Sequence, residues 1–559
     1  NLETGTSRLW QWVNIDSLRN PPQAPLTPMP QRFWWWWQSS RVVHDIDLLG
    51  NVSGLSPIDE FPAFSFVLGD LHPHVLVIPF VMLVIGLALN IYLGGMTDDS
   101  RCWGFKLPYR PDVFVFSAVT LGGIAFLNTW DLPVYFTLLI GAYGLQKVRV
   151  MGWDWARVRE LFILAIPLGV LSLGLYAPFF ISFQSQAGGI LPNLIYPTRG
   201  FYLWLMFGPL LIPIFLLLGW LWKEKARGAW KWGSILVIAF VLFLYALSIA
   251  VGFVLVRTEQ GQVLITSQGE MTFGGLLVSA LIHRLRFGIS LLTLVLLLVG
   301  GLSFLVGLSD KGEDHDETHH PVTFVLLMIL LGGVMVVVPE FVYLRDVFGT
   351  RMNTVFKFYY QAWMLWSLAA GFAAVIFLRR GRIIIKILVV VMILLGLIYP
   401  VLAFPTKTNQ FKPLDGFTLD AGAYLERYQP DEAAAIRWLS ELAPGVVAEA
   451  VGGQYSGYAR VATHSGQAAV LGWPGHQGQW RGGYAEVGSR EADIRTLYET
   501  PDWNQALEII RRYDIDYIYI GSLELSTYAL NPEKFDQNLG VGFESGSTKV
   551  FVIPHLLRQ

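Results

Sequence analysis

The sequence predicts a polytopic α-helical membrane protein with a C-terminal extracytoplasmic α/β domain. Of its 559 residues, 53% are hydrophobic and only 15% are charged, whereas a soluble domain carries about a quarter charged residues. Long apolar runs recur between residues 75 and 403, and beyond residue 404 the charge rises and the runs shorten. The predicted divisions are an outer loop (1–74), a transmembrane helical domain (75–403) and a soluble domain (404–559).

About ten segments are apolar enough to cross a membrane, which takes about 20 residues, or fewer in a helix buried among neighbours. The predicted spans are residues 75–94, 112–127, 132–147, 160–181, 201–222, 232–256, 287–308, 322–338, 358–378 and 383–403. The chain begins with Asn rather than Met, and we expect further helices before residue 1.

Basic residues test the direction of these spans. They concentrate in alternate connections, at residues 95–111, 147–159, 223–231 and 379–386. The positive-inside rule places these connections in the cytoplasm. The other side then holds residues 1–74, 257–286, 339–357 and everything after 404. We therefore expect a multi-pass protein of the plasma membrane whose C-terminal domain is extracytoplasmic.

The soluble region alternates helical and strand patterns. Helices are predicted at residues 431–442 and 502–513, and strands at 446–450 and 515–520. A hairpin is predicted near the C-terminus, between strands at 542–544 and 549–553. Such alternation is typical of a small α/β domain.

The segment Gly69-Asp70-Leu71-His72-Pro73-His74 lies directly before an apolar run. Ionisable groups at the mouth of a membrane helix are costly to desolvate and are often functional. Asp70, with Glu60 nearby, can act as a base or metal ligand, and His72 and His74 titrate near neutrality. The alternative is a helix start that Asp70 caps, with Pro73 in its first turn.

A cationic loop follows the eighth predicted helix. Arg345, Arg351 and Lys357, with Asn353 between them, lie on the side that the positive-inside rule leaves poor in cations. They suggest an anionic ligand such as a phosphate, which an Arg fork binds well. The alternative is internal pairing of these cations with Glu340 and Asp346.

A third candidate site is a glycine-rich loop in the soluble region, residues 471–483. Aromatic faces can stack on sugar rings, and polar side chains can bond sugar hydroxyls. The residues proposed to contact an acceptor are Trp473, His476, Trp480 and Arg481, with Glu449 and Tyr455 before them. A purely structural loop is the alternative.

Several other functions lack support in the sequence. The single cysteine, Cys102, cannot form an intrachain disulfide. Phosphate-binding GxxxxGK[ST], HExxH, CxxC and nucleophile-elbow motifs are absent from the sequence. The aromatic run at residues 33–37 is predicted to lie at the outer membrane interface. Asp131, in Asn128-Thr129-Trp130-Asp131, either caps a helix or faces the same side as Asp70.

Long segments resemble the YYY family of integral membrane proteins. They are FPAFSFVLGDLHPHVLVIPF at 61–80, NTWDLP at 128–133, PEFVYLRDVFGTRMNTVFKFYYQAW at 339–363, LGWPGHQGQWRG at 471–482 and RRYDIDYIYIGSLE at 511–524. That family is grouped with the type C glycosyltransferase superfamily, so the resemblance implies a type C glycosyltransferase-like fold.

The resemblance implies transfer of a sugar from a polyprenyl-phosphate donor on the outer face of the membrane. In the superfamily an acidic residue in an outer loop is essential, often with a metal ion. Asp70 would take that role here, with Mg²⁺ or Mn²⁺ as cofactor. Arg345, Arg351 and Lys357 would hold the donor phosphate, and the acceptor would be a glycan, a lipid or a protein.

The leading hypothesis is thus a membrane glycosyltransferase. The alternative is a non-catalytic scaffold or subunit of a membrane complex, whose outer domain binds a partner or glycan. A transporter is less favoured, because few ionisable residues fall at mid-membrane depth. Nucleic acid is not expected as a partner. A transferase requires Asp70 and the loop at 345–357 to meet at one pocket near the membrane edge.

Overall fold

The structure is a computed structural model, and it separates the chain into two compact units. The membrane unit comprises residues 1–183 and 187–412, and the C-terminal unit begins at residue 413. The predicted boundary at residue 404 falls inside the last long helix of the membrane unit. The structure describes residues 12–15, 27, 29–30, 34–54, 56–69, 71–96, 101–102, 105–106, 110–183, 187–224, 226, 228–269, 272–309, 320–346, 348–413, 416–481 and 483–558.

Long helices build the membrane unit, and every predicted span coincides with helix. They are α1 (Ile78–Tyr92), α2 (Pro111–Leu127), α3 (Leu132–Met151), α4 (Trp155–Gly174), α5 (Gly200–Lys223), α6 (Trp230–Leu255), α7 (Phe273–Arg286), α8 (Ile289–Ser309), α9 (His320–Val337), α10 (Met352–Arg380) and α11 (Ile383–Lys407). Shorter helices are Trp35–Gln38, Pro62–Leu68, Pro73–Leu76, Ala177–Ser182 and Glu259–Ser267, and a 3₁₀ turn at Val338–Glu340 follows α9.

Six of these helices are long and apolar enough to cross a membrane, among the residues that the structure describes: α5, α6, α8, α9, α10 and α11. α1 and α2 are apolar but shorter. α3 and α4 have 20 residues each, but α3 carries Lys147 and Arg149 in its last two turns, and α4 carries Arg157, Arg159 and Glu160 in its first two. A membrane protein with several apolar helices is therefore supported, while the full set of ten crossings stays a prediction.

The outer segment predicted at residues 257–286 is largely helical. The hydroxyl of Thr258 accepts a hydrogen bond from the Gly261 amide, and it caps the helix Glu259–Ser267. Thr272 caps α7 in the same way through Gly275. Such caps satisfy backbone amides that the first helical turn leaves without partners.

Close packing holds the centre of the membrane unit together. α9 packs between α8 and α10, and α10 also packs against α5. Trp366 of α10 is fully buried, and its indole nitrogen donates to the Ile329 carbonyl of α9 at 3.0 Å. Gly332 makes this approach possible, because a Cβ there would lie 2.4 Å from the same indole nitrogen. In contrast, α6 and α11 leave most of their apolar side chains exposed, as helices facing lipid do.

Short strands complete the membrane unit. β1 (Arg101–Cys102) pairs with β2 (Phe105–Lys106), and β3 (Ile190–Pro192) pairs antiparallel with β4 (Val342–Leu344). The second pair matters for the site, because it joins the segment before α5 to the loop before α10.

The C-terminal unit is built on a mixed five-stranded sheet, as the α/β prediction requires. Its strands are β5 (Val446–Ala448), β6 (Ala468–Ala469), β7 (Ile515–Ile520), β8 (Gly540–Ser545) and β9 (Thr548–Val552), in the order β6-β5-β7-β9-β8. β6, β5 and β7 run parallel, and β9 is antiparallel to β7 and β8. Its helices are Ala423–Tyr428, Pro430–Ser440, Arg460–Ser465, Pro474–Trp480, Arg490–Glu499, Trp503–Arg512, Ser522–Thr527, Glu533–Asn538 and His555–Arg558.

The contact between Gly332 and Trp366 predicts a specific loss of stability. We expect Gly332→Ala to destabilise the membrane unit by about 1–3 kcal/mol, because the added methyl group overpacks the α9–α10 contact. Thermal unfolding in detergent measures the change. Gly371→Ala in α10 is the matched control, since a Cβ there meets no atom within 4 Å. An equal Tm for the two variants would contradict the packing argument.

Candidate functional site

The β3–β4 pair fixes the loop between α9 and α10. The Gly188 amide donates to the Arg345 carbonyl, and the Arg345 amide donates to the Gly189 carbonyl, both at 2.8 Å. The Asn193 amide donates to the Phe341 carbonyl at 2.7 Å. The cationic loop predicted from the sequence is thus tied to the segment that precedes α5.

Arg351 lies at the centre of a buried ionic network. Its Nη2 and Nε bind Asp45 Oδ1 at 2.6 and 3.0 Å, and its Nη1 binds Glu340 Oε1 at 3.1 Å. All three side chains are buried. Burial alone would lower the pKa of Arg351, but the carboxylates of Asp45 and Glu340 outweigh it and raise the pKa. The guanidinium therefore stays charged and is already occupied by two carboxylates.

Further groups complete this network. Glu340 Oε2 accepts from the Thr198 amide at 2.9 Å. Arg284 is buried, donates to the Asn193 carbonyl at 2.9 Å, and stacks over the ring of Phe341 at 4.8 Å. Burial lowers the pKa of Arg284, and the charge of Glu340 opposes this. Two arginines therefore face two carboxylates, and the network is close to neutral.

A cavity of about 520 Å³ opens beside the network. Its polar wall comes from the network and from the loop before α10: Asp45, Tyr196, Tyr343, Arg345, Asp346 and Arg351. Its apolar wall comes from the segment after β3, from the end of α6 and from the two helices that follow: Leu194, Ile195, Leu255, Val256, Ile265, Phe273 and Leu276. The cavity is therefore amphipathic, as binding sites for apolar ligands with a polar group are.

Arg345 is the exposed cation of this cavity. No ion pair to it is found among the residues that the structure describes. Its neighbour Asp346 accepts hydrogen bonds from the Phe348 amide at 2.9 Å and from Asn353 Nδ2 at 2.8 Å. Asn353, predicted as a donor-binding residue, thus holds the loop through Asp346.

Lys357 does not line this cavity. Its ammonium group lies 4.3 Å from the centre of the Trp130 ring. The adjacent Asp131 is fully buried and accepts from Gln361 Nε2 at 2.7 Å. Burial raises the pKa of Asp131 to about 7, against a hydrogen bond from Asn128 and the charge of Lys357. The predicted phosphate-binding set is therefore divided between two places.

The predicted histidines lie near Lys357. His72 and His74 share a hydrogen bond between their Nδ1 atoms at 2.9 Å, which requires one nitrogen to donate and the other to accept. Both rings pack against Phe356 of α10. Burial, helped by the charges of His72 and Lys357, lowers the pKa of His74 to about 2. His74 is therefore neutral at physiological pH.

Two acidic residues, Glu60 and Asp70, are predicted to act near the histidines, and the structure describes only Glu60. Asp70 lies outside the described residues. Glu60 forms an ion pair with Arg41 at 3.1 Å. Its neighbour Asp59 is buried and accepts from the Val42 amide at 2.9 Å, and burial raises its pKa to about 7. Within the described part of the chain, no three His, Cys, Asp or Glu side chains are grouped to hold a metal ion.

The C-terminal unit brings part of the third candidate site together. The His476 ring contacts those of Tyr455 and Trp473, with centroids 4.9 and 5.1 Å apart. Trp480 is 60% exposed at the end of the same short helix. Arg481 forms an ion pair with Glu486 at 2.8 Å, and both side chains are more than half exposed.

Glu449 has a structural position. It is buried, and its two carboxylate oxygens accept from the amides of Val461 and Ala462, both at 2.9 Å. These bonds cap the helix Arg460–Ser465. Burial raises the pKa of Glu449 to about 7, and the two amides oppose this. The carboxylate is thus directed into the fold rather than toward an acceptor.

Comparison with known proteins places the chain in a family. The family model described as "Uncharacterized membrane protein (DUF2298)" matches residues 2–366. The chain belongs to this family of membrane proteins. A search of curated proteins found no match.

The DUF2298 match covers the cavity of the membrane unit, including Asp45, Glu340, Arg345 and Arg351. It ends within α10, so the C-terminal unit lies beyond it. The resemblance to an integral membrane protein family is confirmed at that level. The match does not extend to the glycosyltransferase superfamily, which stays a proposal.

Sequence reasoning missed Asp45, Arg284, Tyr196 and Tyr343. The signal for Arg284 was present, because it lies in a segment assigned to the side that is poor in cations. Asp45 carries no comparable signal, since its partner Arg351 is about three hundred residues away.

The network predicts a large difference between two arginines of the same cavity. We expect Arg351→Met to destabilise the protein by about 3–5 kcal/mol, because it leaves Asp45 and Glu340 buried without their partner. Arg345→Met is the matched control and is expected to change stability by less than about 0.5 kcal/mol, since Arg345 is exposed. Thermal unfolding of both purified variants measures the difference. Similar unfolding temperatures would show that the network is not stabilising.

Proposed function

We propose that the protein is a membrane glycosyltransferase that uses a polyprenyl-phosphate-linked sugar donor on the outer face of the membrane. The observation that carries the proposal is the amphipathic cavity of about 520 Å³, with Arg345 on one wall and apolar side chains on the other. A ligand that joins an anionic group to a long apolar chain matches both walls.

The apolar wall suits a lipid chain. Leu255 and Val256 lie at the end of α6, a helix that leaves most of its apolar surface exposed. A polyprenyl chain could therefore reach the cavity from the bilayer along this helix. A chain that enters from the bilayer is already out of water, so its contribution to binding comes from close packing against these side chains rather than from transfer out of water.

The polar wall suits a phosphate. The ionic network is internally balanced, so Arg351 holds the wall in place and Arg345 provides the cation that a phosphate needs. The hydroxyl groups of Tyr196 and Tyr343 can add hydrogen bonds. In sugar transfer, Arg345 would stabilise the negative charge that develops on the departing phosphate.

The chemistry needs a base as well as a cation. The acceptor hydroxyl oxygen forms a bond to the anomeric carbon, the bond from that carbon to the phosphate oxygen breaks, and a carboxylate takes the hydroxyl proton. Asp70, with Mg²⁺ or Mn²⁺ as a proposed cofactor, is the base proposed from the sequence, although its described neighbours Gly69 and Leu71 do not line the cavity. Asp346 is a second candidate, since it lines the cavity beside Arg345.

The membrane topology supports this proposal. Asp45, Thr258, Gly261, Ile265, Phe273 and Leu276 line the cavity together with Tyr343, Arg345, Asp346 and Arg351. Each falls in a segment that the distribution of basic residues assigns to the same, outer side of the membrane. If α1–α6 and α8–α11 each cross the membrane once, these segments all lie on the outer side. They can then line one cavity, as this topology requires. We propose that topology in the plasma membrane.

Binding of undecaprenyl phosphate tests the donor site directly. We expect Arg345→Ala to weaken binding by about tenfold or more in nanodiscs, because a charged hydrogen bond is lost. Undecaprenol, which lacks the phosphate, should bind both proteins equally. Arg286→Ala is the control, since Arg286 is exposed at the end of α7 and does not line the cavity. Equal loss with Arg286→Ala would indicate a general effect of surface charge.

Release of undecaprenyl phosphate from a sugar donor tests the proposed catalytic activity. Membranes containing the protein should release undecaprenyl phosphate from at least one of the undecaprenyl-phosphate derivatives of mannose, glucose and arabinose. The variants Asp70→Asn and Asp346→Asn identify the base. The substitution that removes it abolishes release of undecaprenyl phosphate without changing the binding of undecaprenyl phosphate. Binding without turnover of any donor would favour the non-catalytic scaffold.

A further inference from the structure

In the C-terminal unit the chain reverses its direction across the sheet at the edge where the parallel strands end. From β5 the chain passes through the helix Arg460–Ser465 to β6 on one side. It then returns through further helices to β7 on the other side of β5. Such a reversal creates a crevice at the carboxyl ends of the strands, where open α/β sheets bind ligands.

Aromatic side chains gather at this edge. Tyr455 lies in the loop after β5, and Trp473 and His476 follow β6. The rings of Tyr455 and Trp473 are 5.8 Å apart, and His476 stands nearly perpendicular to both, at 86° and 77°. Trp473 is fixed by a hydrogen bond from its indole nitrogen to the Tyr458 carbonyl at 2.8 Å. Loops from two neighbouring strands thus build one aromatic surface.

Tyr455 is held in an unfavourable conformation. Its φ of 58° lies in the left-handed region, yet its side chain is 78% exposed. Burial of the ring therefore does not offset the strain. Strained residues of this kind occur most often at functional sites.

The neighbouring backbone brings an amide group to the same place. A Cβ at Gly475 would lie 2.1 Å from the Gln454 side-chain oxygen, so the amide of Gln454 rests directly on this glycine. Gln477, in the same short helix, accepts from Arg481 Nε at 2.9 Å. Amide groups that can donate and accept hydrogen bonds therefore border the aromatic rings.

The charges at this edge are balanced. Arg481 is paired with Glu486, and the buried Arg460 is paired with both Glu432 and Glu524. Partial burial lowers the pKa of His476, which favours the neutral ring. A phosphate or carboxylate ligand would find no unpaired cation among these groups.

We propose that the carboxyl edge of this sheet is a binding site for a neutral carbohydrate, formed by Tyr455, Trp473 and His476 with the Gln454 amide. A sugar ring offers an apolar C–H face to aromatic rings and hydroxyl groups to amides, which matches this surface. This site does not depend on the proposed sugar transfer. A non-catalytic membrane protein with the same C-terminal unit would bind the same carbohydrate.

Saturation-transfer NMR on the full-length protein in nanodiscs tests the site with cellohexaose, maltohexaose, mannohexaose and N-acetylchitohexaose as probes. We expect at least one to bind wild type, and Tyr455→Gly to weaken that binding by about tenfold or more. Glycine accepts a positive φ, so this variant should unfold at the same temperature as wild type or higher. Tyr428→Ala, which removes a 62% exposed tyrosine elsewhere in the unit, should bind normally.

Other outcomes overturn the proposal. Wild type that binds none of the four oligosaccharides, or a Tyr455→Gly variant that binds like wild type, contradicts the site. Binding of polygalacturonate alone contradicts a neutral ligand. Arg345→Ala should bind the oligosaccharide as wild type does, which separates this site from the donor cavity.

Discussion

The buried ion pairs of Arg351 are the interaction on which the membrane unit's site depends. They join Asp45, near the N-terminus, and Glu340, in the 3₁₀ turn after α9, to Arg351, which lies directly before α10. Charges removed from water must be paired, and here the geometry pairs one guanidinium with two carboxylates. The loop that carries Arg345 is held between these partners. The position of the exposed cation therefore follows from a network that itself contacts little solvent.

A balanced network beside an exposed apolar helix produces the shape of the cavity. The network forms a rigid polar wall, and α6 with the helices after it forms an apolar one. An amphipathic lipid can use both walls at once. The sequence predicted the same phosphate-binding role for both arginines. In the structure Arg351 holds the polar wall in place, and Arg345 is the exposed cation that faces the cavity.

The histidines and Lys357 form a separate cluster at the starts of helices. His74 contacts Phe356 and Tyr360 of α10, and Lys357 lies over Trp130 beside Asp131. The sequence favoured one cationic surface because Arg351 and Lys357 are close along the chain. Arg351 directly precedes α10, and Lys357 comes six positions later on a different face, so these two side chains meet different neighbours.

Local patterns predicted much of the C-terminal unit. The helix at 430–440, the strand at 515–520 and the final hairpin follow from hydrophobic periodicity and lie close to where it placed them. The pattern could not show that Glu449 caps a helix. Both its oxygens bind amides that come a dozen residues later, and a carboxylate in sequence looks the same whether it faces solvent or backbone.

The sequence by itself determined that this is a helical membrane protein with a mixed α/β region after it, because apolar length and charge density are properties of each segment. It also identified the cationic loop and the aromatic loop as unusual. Only the tertiary structure decided which cation is occupied and which faces a cavity. That choice depends on Asp45 reaching Arg351 across about three hundred residues, and pairing at such a distance is set by packing rather than by local pattern.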